Sequence, residues 1–221
     1  MALNKRAFTL AEVLITLGII GVVAAVTMPT VITNYQKHVT VSRLKSTYAL
    51  LSQALNLAIK DYDEIFVDSQ YYGCENAVQV SEKYFEPYLK VLKKCNCSTV
   101  GECEFDRGTM DGNPPQPAYE LVYYSERAQR LFLANGSEVL VSRPPGDPGI
   151  IVLIIDINGN NKPNVYGKDV FRFKVEPSGQ IKAFTEPEER DSIIMNCKSI
   201  GTACSALILT DGWKISKDYP W

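Results

Sequence analysis

Oxygen donors stand at alternate positions in Asp156-Ile157-Asn158-Gly159-Asn160-Asn161, the way a calcium loop begins. The EF-hand pattern then fails, because Asn161 stands where glycine is needed and Gly167 where a bidentate acid closes the loop. Asp169 could close a looser site with Asp156, Asn158 and Asn160. The plainer reading is an Asn/Gly-rich connection held by Asx turns, with calcium as the alternative and no other cofactor indicated. Six cysteines, Cys74, Cys95, Cys97, Cys103, Cys197 and Cys204, all lie at or beyond residue 74. An even, clustered set points to disulfides and an oxidising compartment. Cys95-Asn96-Cys97 lacks the Cys-x-x-Cys spacing and has no histidine nearby, so structural bridges outrank redox or zinc chemistry. The single histidine, His38, excludes devices built on several histidines, and its place on a helical stripe reads as packing or capping. No paired acids or nucleophile motif stand out, so the expectation is a protein that is not an enzyme.

The other chemical signal is an acid where none is expected. Phe8 to Met28 reads FTLAEVLITLGIIGVVAAVTM, with Glu12 its only charge. Twenty-one residues at ~1.5 Å rise span about 31 Å, the thickness of a bilayer core. Lys5 and Arg6 precede the run, which places the N-terminus in the cytoplasm and exports everything after Met28, where disulfides can form. A carboxylate near hydrocarbon is costly unless paired, so Glu12 is a functional residue by default. An uncleaved signal anchor is the blander alternative.

Residues 5–12, Lys-Arg-Ala-Phe-Thr-Leu-Ala-Glu, resemble the signal of type IV pilins and type II secretion pseudopilins. The resemblance implies cleavage by prepilin peptidase between Ala7 and Phe8, with Phe8 then methylated. It puts Glu12 on the family's acidic position, Pro29 where many members carry a helix-loosening proline, and Gly18 and Gly21 in a stretch that can lose helical hydrogen bonds in filaments. Ala7 departs from the usual glycine but keeps a small residue before the cut. The implied function is a structural subunit of a type IV pilus or secretion pseudopilus. Its partners would be copies of itself or other pilin-like subunits, the peptidase and the inner-membrane assembly platform. Its location would be the bacterial cytoplasmic membrane, crossed once, and then the periplasm or cell exterior in a filament. Cys197 and Cys204 resemble the family's C-terminal disulfide loop, whereas Cys74, Cys95, Cys97 and Cys103 leave three pairings open. Calcium occurs in some pseudopilin heads, which adds weight to the 156–169 loop.

Physically, cleavage leaves an amine on Phe8 that Glu12 of a neighbouring subunit can meet better than Glu12 of the same helix. In low dielectric such a pair sets register between subunits more than it adds net stability. Removing Lys5 and Arg6 takes the net charge from −2 to −4, with 21 basic residues left against 25 acidic. That balance argues against nucleic acid as a partner, although Lys90, Lys93 and Lys94 form a local basic patch that a DNA-binding competence pilin would use. A membrane-anchored binding or enzyme domain is the remaining alternative.

The elements that position these residues follow from periodicity. Beyond Pro29, Tyr35, His38, Leu44, Tyr48, Leu51, Leu55, Ala58 and Tyr62 keep mostly three- and four-residue steps, extending a helix from Phe8 to about Lys60. Residues 61–79 read as loop. A short helix opens at Ser81 and runs to about Lys94, with a kink or late start at Pro87. Residues 95–118 read as a stapled irregular loop. Arg130–Ala134 and Glu138–Ser142 flank Asn135-Gly136, a hairpin signal that outweighs the glycosylation sequon Asn135-Gly136-Ser137. Ile150–Ile157 reads as a buried strand, followed by Val170–Val175 and Ile181–Phe184. Residues 185–192 read as a charged loop and Thr202–Leu209 as a final short helix. The expected class is α+β and pilin-like, a long N-terminal helix on a four- to five-stranded antiparallel sheet with short extra helices. The expected divisions are a leader at 1–7, a transmembrane or filament-core helix at 8–28, its amphipathic continuation at 29–60, and an exported head at 61–221.

Overall fold

One helix, α1, runs from Leu10 to Tyr62 without a break, Pro29 included. Its first half is apolar on all sides and exposed. Its second half buries one stripe, Thr40, Leu44, Thr47, Leu51, Ala54, Leu55 and Ala58, at steps of three and four. His38 and Tyr35 are exposed, and Tyr62 is 45% exposed. His38 therefore lies outside the stripe that this chain buries, which begins at Thr40. The structure, a computed structural model, describes residues 9–65, 73–96, 108–112, 128–143, 150–159, 161–185 and 189–221. By contacts the chain divides into two compact units, Met1–Val39 and Thr40–Trp221.

The second unit is built on a six-stranded antiparallel meander in chain order. The strands are β1 (Val91–Cys95), β2 (Ala128–Leu133), β3 (Glu138–Ser142), β4 (Ile151–Asp156), β5 (Val170–Val175) and β6 (Ile181–Ala183). Among the described residues, short helices α2 (Cys74–Tyr84), α3 (Arg190–Lys198) and α4 (Cys204–Thr210) accompany it. The α+β class stands as read from sequence, but the sheet has six strands rather than four or five. The added strand is β1, which overlaps the end of the helix expected at 81–94 and begins the loop expected at 95–118. That helix starts earlier, at Cys74, and ends at Tyr84; Pro87 then sits in a single 3₁₀ turn, Glu86–Tyr88. The loop expected at 185–192 gives way to α3 from Arg190.

Period-two alternation sorts the strands onto two faces. Val139 and Val141, Ile151, Leu153 and Ile155, and Phe171 and Phe173 share one core with Leu44, Leu51 and Leu55 of α1. Leu140, Val152, Ile154 and Val170 form a second cluster with Tyr166 on the opposite face. β4 is thus buried on both sides, which is why it reads as an unbroken apolar run. At the β2–β3 turn, Asn135 Oδ1 accepts from the Ser137 amide at 3.1 Å and hydroxyl at 2.7 Å, while its Nδ2 donates to Thr47 Oγ1 of α1 at 3.0 Å. The turn reading of this triplet holds, and the amide that a glycan would use is engaged.

Candidate functional site: the head of the apolar helix and the loop cluster

The N-terminus of α1 is closed by a reciprocal pair. The Thr9 amide donates to Glu12 Oε2 at 2.8 Å, the Thr9 hydroxyl donates to the same oxygen at 2.9 Å, and the Glu12 amide donates to Thr9 Oγ1 at 3.3 Å. This is the capping box that Ser/Thr-x-x-Glu forms before an apolar run, and it satisfies amides that no helical carbonyl reaches. Thr9 is a functional residue that the sequence reading missed; the spacing Thr9–Glu12 was the available signal. Ala7 and Phe8 lie outside the described residues.

Downstream of the cap, Thr16 donates to the carbonyls of Glu12 and Val13, Thr27 to that of Val23 and Thr33 to that of Pro29, all at 2.9–3.0 Å. The hydroxyls of Thr16, Thr27 and Thr33 are therefore satisfied by their own helix. A helix entering hydrocarbon has to meet this condition, because lipid offers no partner. The span is long and apolar enough to cross a membrane, and none of it is buried within the chain. Gly18 and Gly21 are helical, with no atom near a would-be Cβ.

The Thr40–Trp221 unit carries the second group of predicted residues. The β4–β5 connection brings Asp156, Asn158 and Asp169 together, while Asn160 lies outside the described residues. Asp169 organises it: Oδ1 accepts from the Val165 amide at 2.7 Å, and Oδ2 from the Asn164 amide at 2.8 Å and Asn158 Nδ2 at 3.2 Å. Asp156 Oδ1 accepts from the Asn158 amide at 3.1 Å. The Asx turns expected from the composition are present. Among the described residues no three His, Cys, Asp or Glu side chains gather as metal ligands, so a cation here would depend on amide oxygens as well.

This connection packs on the C-terminal disulfide loop. Cys197 and Cys204 are bridged, with Cα atoms 4.7 Å apart. Cys74 and Cys95 are also disulfide-bonded, and Cys97 and Cys103 lie outside the described residues. Gly167 and Gly201 make the close approach, and the Tyr219 hydroxyl donates to Gly167 O at 2.5 Å. Burial pushes that hydroxyl's pKa well above the ordinary tyrosine value. The tail is held by Arg190 at the start of α3, which bonds Asp211 through Nε and Nη2 at 2.8 Å each and Asp218 at 2.6 and 3.0 Å. These bonds hold both carboxyls below the usual aspartate range. A depressed carboxylate contributes stability above its unfolded pKa of about 3.9 and loses it as pH falls through the folded value. Tail docking should therefore be constant from about pH 8 to 5 and loosen below about pH 4. Arg190→Gln should raise amide exchange over 211–221 several-fold at neutral pH and remove the acid dependence. Equal exchange in both proteins at every pH would count against the clamp.

The basic patch is smaller than its sequence suggests. Lys94 is paired with Glu86 at 2.9 Å and Glu82 at 3.6 Å, and Lys93 lies over the Phe132 ring. That spends much of the charge a phosphate backbone would need.

A capped apolar helix with one acid at its head, joined to a disulfide-bearing α+β unit, defines a pilin-like protein. Residues 3–28 match the prokaryotic N-terminal methylation motif, the signal processed by prepilin peptidase. The chain belongs to a family of unknown function, DUF6613, whose match covers residues 30–221. No curated protein and no solved structure matches it.

Proposed function

We propose that this chain is a structural subunit of a pilus-like filament, either a type IV pilus or a type II secretion pseudopilus. Prepilin peptidase removes residues 1–7, Phe8 becomes the methylated N-terminus, and the subunit waits in the cytoplasmic membrane with its disulfide-bearing part exported. An assembly platform then draws α1 out of the bilayer and into a stack of like helices, where Glu12 meets the amine of a neighbouring Phe8. Loss of Lys5 and Arg6 with the leader removes the charges that anchor the helix on the cytoplasmic side and eases extraction.

The observation that carries this reading is the first half of α1. Side chains such as Leu14, Ile15, Leu17, Ile19, Ile20 and Val22 are 60% or more exposed, an apolar surface that its own helix cannot cover. Lipid covers it before assembly and other helices cover it afterwards. The test is the intact mass of the protein taken from membranes of a host with active prepilin peptidase. A chain beginning at Phe8 and carrying one added methyl group is expected. A chain that keeps Met1 through Ala7 would overturn the proposal.

A further inference from the structure

We propose that the groove beside β6 is a docking site for an extended acidic peptide, which adds to the sheet as a further strand. β6 is one edge of the meander, and its hydrogen bonds show which of its backbone groups point outward. The Glu176 amide donates to Gln180 O at 3.0 Å, so that pair bonds inward across the β5–β6 turn. Bonding alternates along an antiparallel ladder. Ile181 and Ala183, opposite Val175 and Phe173, therefore turn their amides and carbonyls away from β5. The Tyr48 hydroxyl of α1 agrees with this, since it donates to Ile181 O from the outer side at 2.8 Å. Ala183 is the next outward residue, and among the described residues nothing bonds its amide or its carbonyl.

Ala183 lines a groove of about 330 Å³ between β6 and the α3–α4 pair, a volume near the lower end of the range for ligand sites. The floor is apolar: Ile193 of α3 and Ala206 and Leu209 of α4 belong to the same core that Ala183 packs against. The rim carries Lys174 and Lys182, which stand opposite one another in register, and Glu176, which binds Lys182 at 2.7 Å. Two cations against one carboxylate leave the rim positive in a chain whose net charge is −2. In strand addition the main-chain bonds give affinity and alternate side chains give specificity. Side chains alternate between faces along a strand, so the specificity can be read from the register. The residue that pairs with Ala183 lies on Ala183's own face, over the apolar floor. Its two neighbours point to the other face, which Lys182 and Lys174 share. The groove therefore selects an acid-apolar-acid triplet. This site goes beyond the filament reading and holds whether or not the chain polymerises.

The test uses the full chain in detergent, labelled with ¹⁵N-alanine and titrated at low salt with the capped pentapeptide Thr-Glu-Val-Glu-Thr. Saturable binding with a Kd of about 10⁻⁴ M is expected, with the Ala183 amide signal among those that move. The peptide Thr-Lys-Val-Lys-Thr should bind about tenfold more weakly, because like charges then meet across the groove. The acidic peptide N-methylated at its valine should also lose about tenfold, because it can no longer donate to Ala183 O. Ala183→Pro removes only an outward amide, which an edge strand tolerates. That variant identifies the Ala183 signal and should bind about tenfold more weakly. Lys174→Glu should reverse the preference toward the lysine peptide. No saturable shift in the native chain, or equal binding of the lysine or N-methylated peptide, would overturn the site. So would an Ala183 signal that moves with protein concentration alone, since a second copy of the chain would then hold the edge.

Discussion

Glu12→Ala is expected to leave the protein in the membrane and out of the filament. Insertion depends on apolar length, and removing a carboxylate from an apolar span only favours it. Assembly is different, because the proposed partner of Glu12 is the amine of a neighbouring Phe8 among packed helices. Breaking one side of a buried pair leaves the other charge uncompensated, at about 3–5 kcal/mol. At 1.4 kcal/mol per tenfold, incorporation should fall about a hundredfold or more. The capping box offers a rival explanation, since Glu12 also closes the end of α1 through Thr9. Glu12→Gln separates the two. Glutamine serves at the third helical position of a capping box but carries no charge. The expected result is that Gln inserts normally and fails to assemble, as Ala does. Sheared-filament yield against membrane-fraction yield is the measurement, and normal filaments from Glu12→Gln would reduce Glu12 to a helix cap.

The observed cap and the proposed pairing of Glu12 can follow one another along the proposed assembly path. Before assembly the carboxylate accepts two bonds from Thr9, which gives a charge in an apolar setting local partners. In the proposed filament an incoming amine would compete for the same oxygens. A side chain already held by its own helix needs little reorganisation to accept a cation, so under this proposal Thr9 would serve as a positioning residue.

What could be read from the sequence depended on how much each element depends on its neighbours. β4 and the β2–β3 hairpin announce themselves, the first by apolar residues on both faces and the second by Asn135-Gly136. The amphipathic half of α1 was legible because its stripe repeats over several turns. β1 was not, because an edge strand buries little: Leu92 is 69% exposed and Lys93 and Lys94 face outward, so no alternation betrays it. The aromatic spacing of Tyr84, Phe85 and Tyr88 instead suggests a helix that Pro87 cuts short. α3 was hidden for another reason. It buries only Ile193 and Cys197, one turn apart, and is secured by the disulfide and by Arg190. In the loop cluster, Asp156 and Asp169 were visible as acids, but the left-handed turn at Asn164, whose amide Asp169 holds, could not be singled out from residue type alone.

The second large effect is expected from Gly201→Ala, a methyl group placed where the disulfide loop meets the β4–β5 connection. Gly201 has φ 91°, and a Cβ there would stand 2.4 Å from Tyr166 O and 2.8 Å from its carbonyl carbon. The obstacle is backbone, so no rotamer change relieves it. Nor can that backbone withdraw easily, because the Tyr166 amide is bonded to Gly108 O at 3.1 Å, its ring is buried, and the Asp169 carboxylate holds the preceding Val165 amide. A left-handed alanine costs about 1 kcal/mol and overpacking a further 1–3 kcal/mol, so a loss of about 3 kcal/mol is expected, or roughly 6–12 °C in Tm. Two controls isolate the clash. Gly212 has φ 70° with no atom within 4 Å of a would-be Cβ, so Gly212→Ala should show only the backbone cost. Gly179 also has positive φ, but its obstacle is the tip of Ile59, which can turn aside, so Gly179→Ala should fall between the two. Thermal unfolding of the three variants should rank them Gly201, Gly179, Gly212 from most to least damaging. If Gly201→Ala melts with Gly212→Ala, the disulfide loop is not seated on Tyr166 as described. If the ranking holds, the β4–β5 connection is braced by the C-terminal bridge.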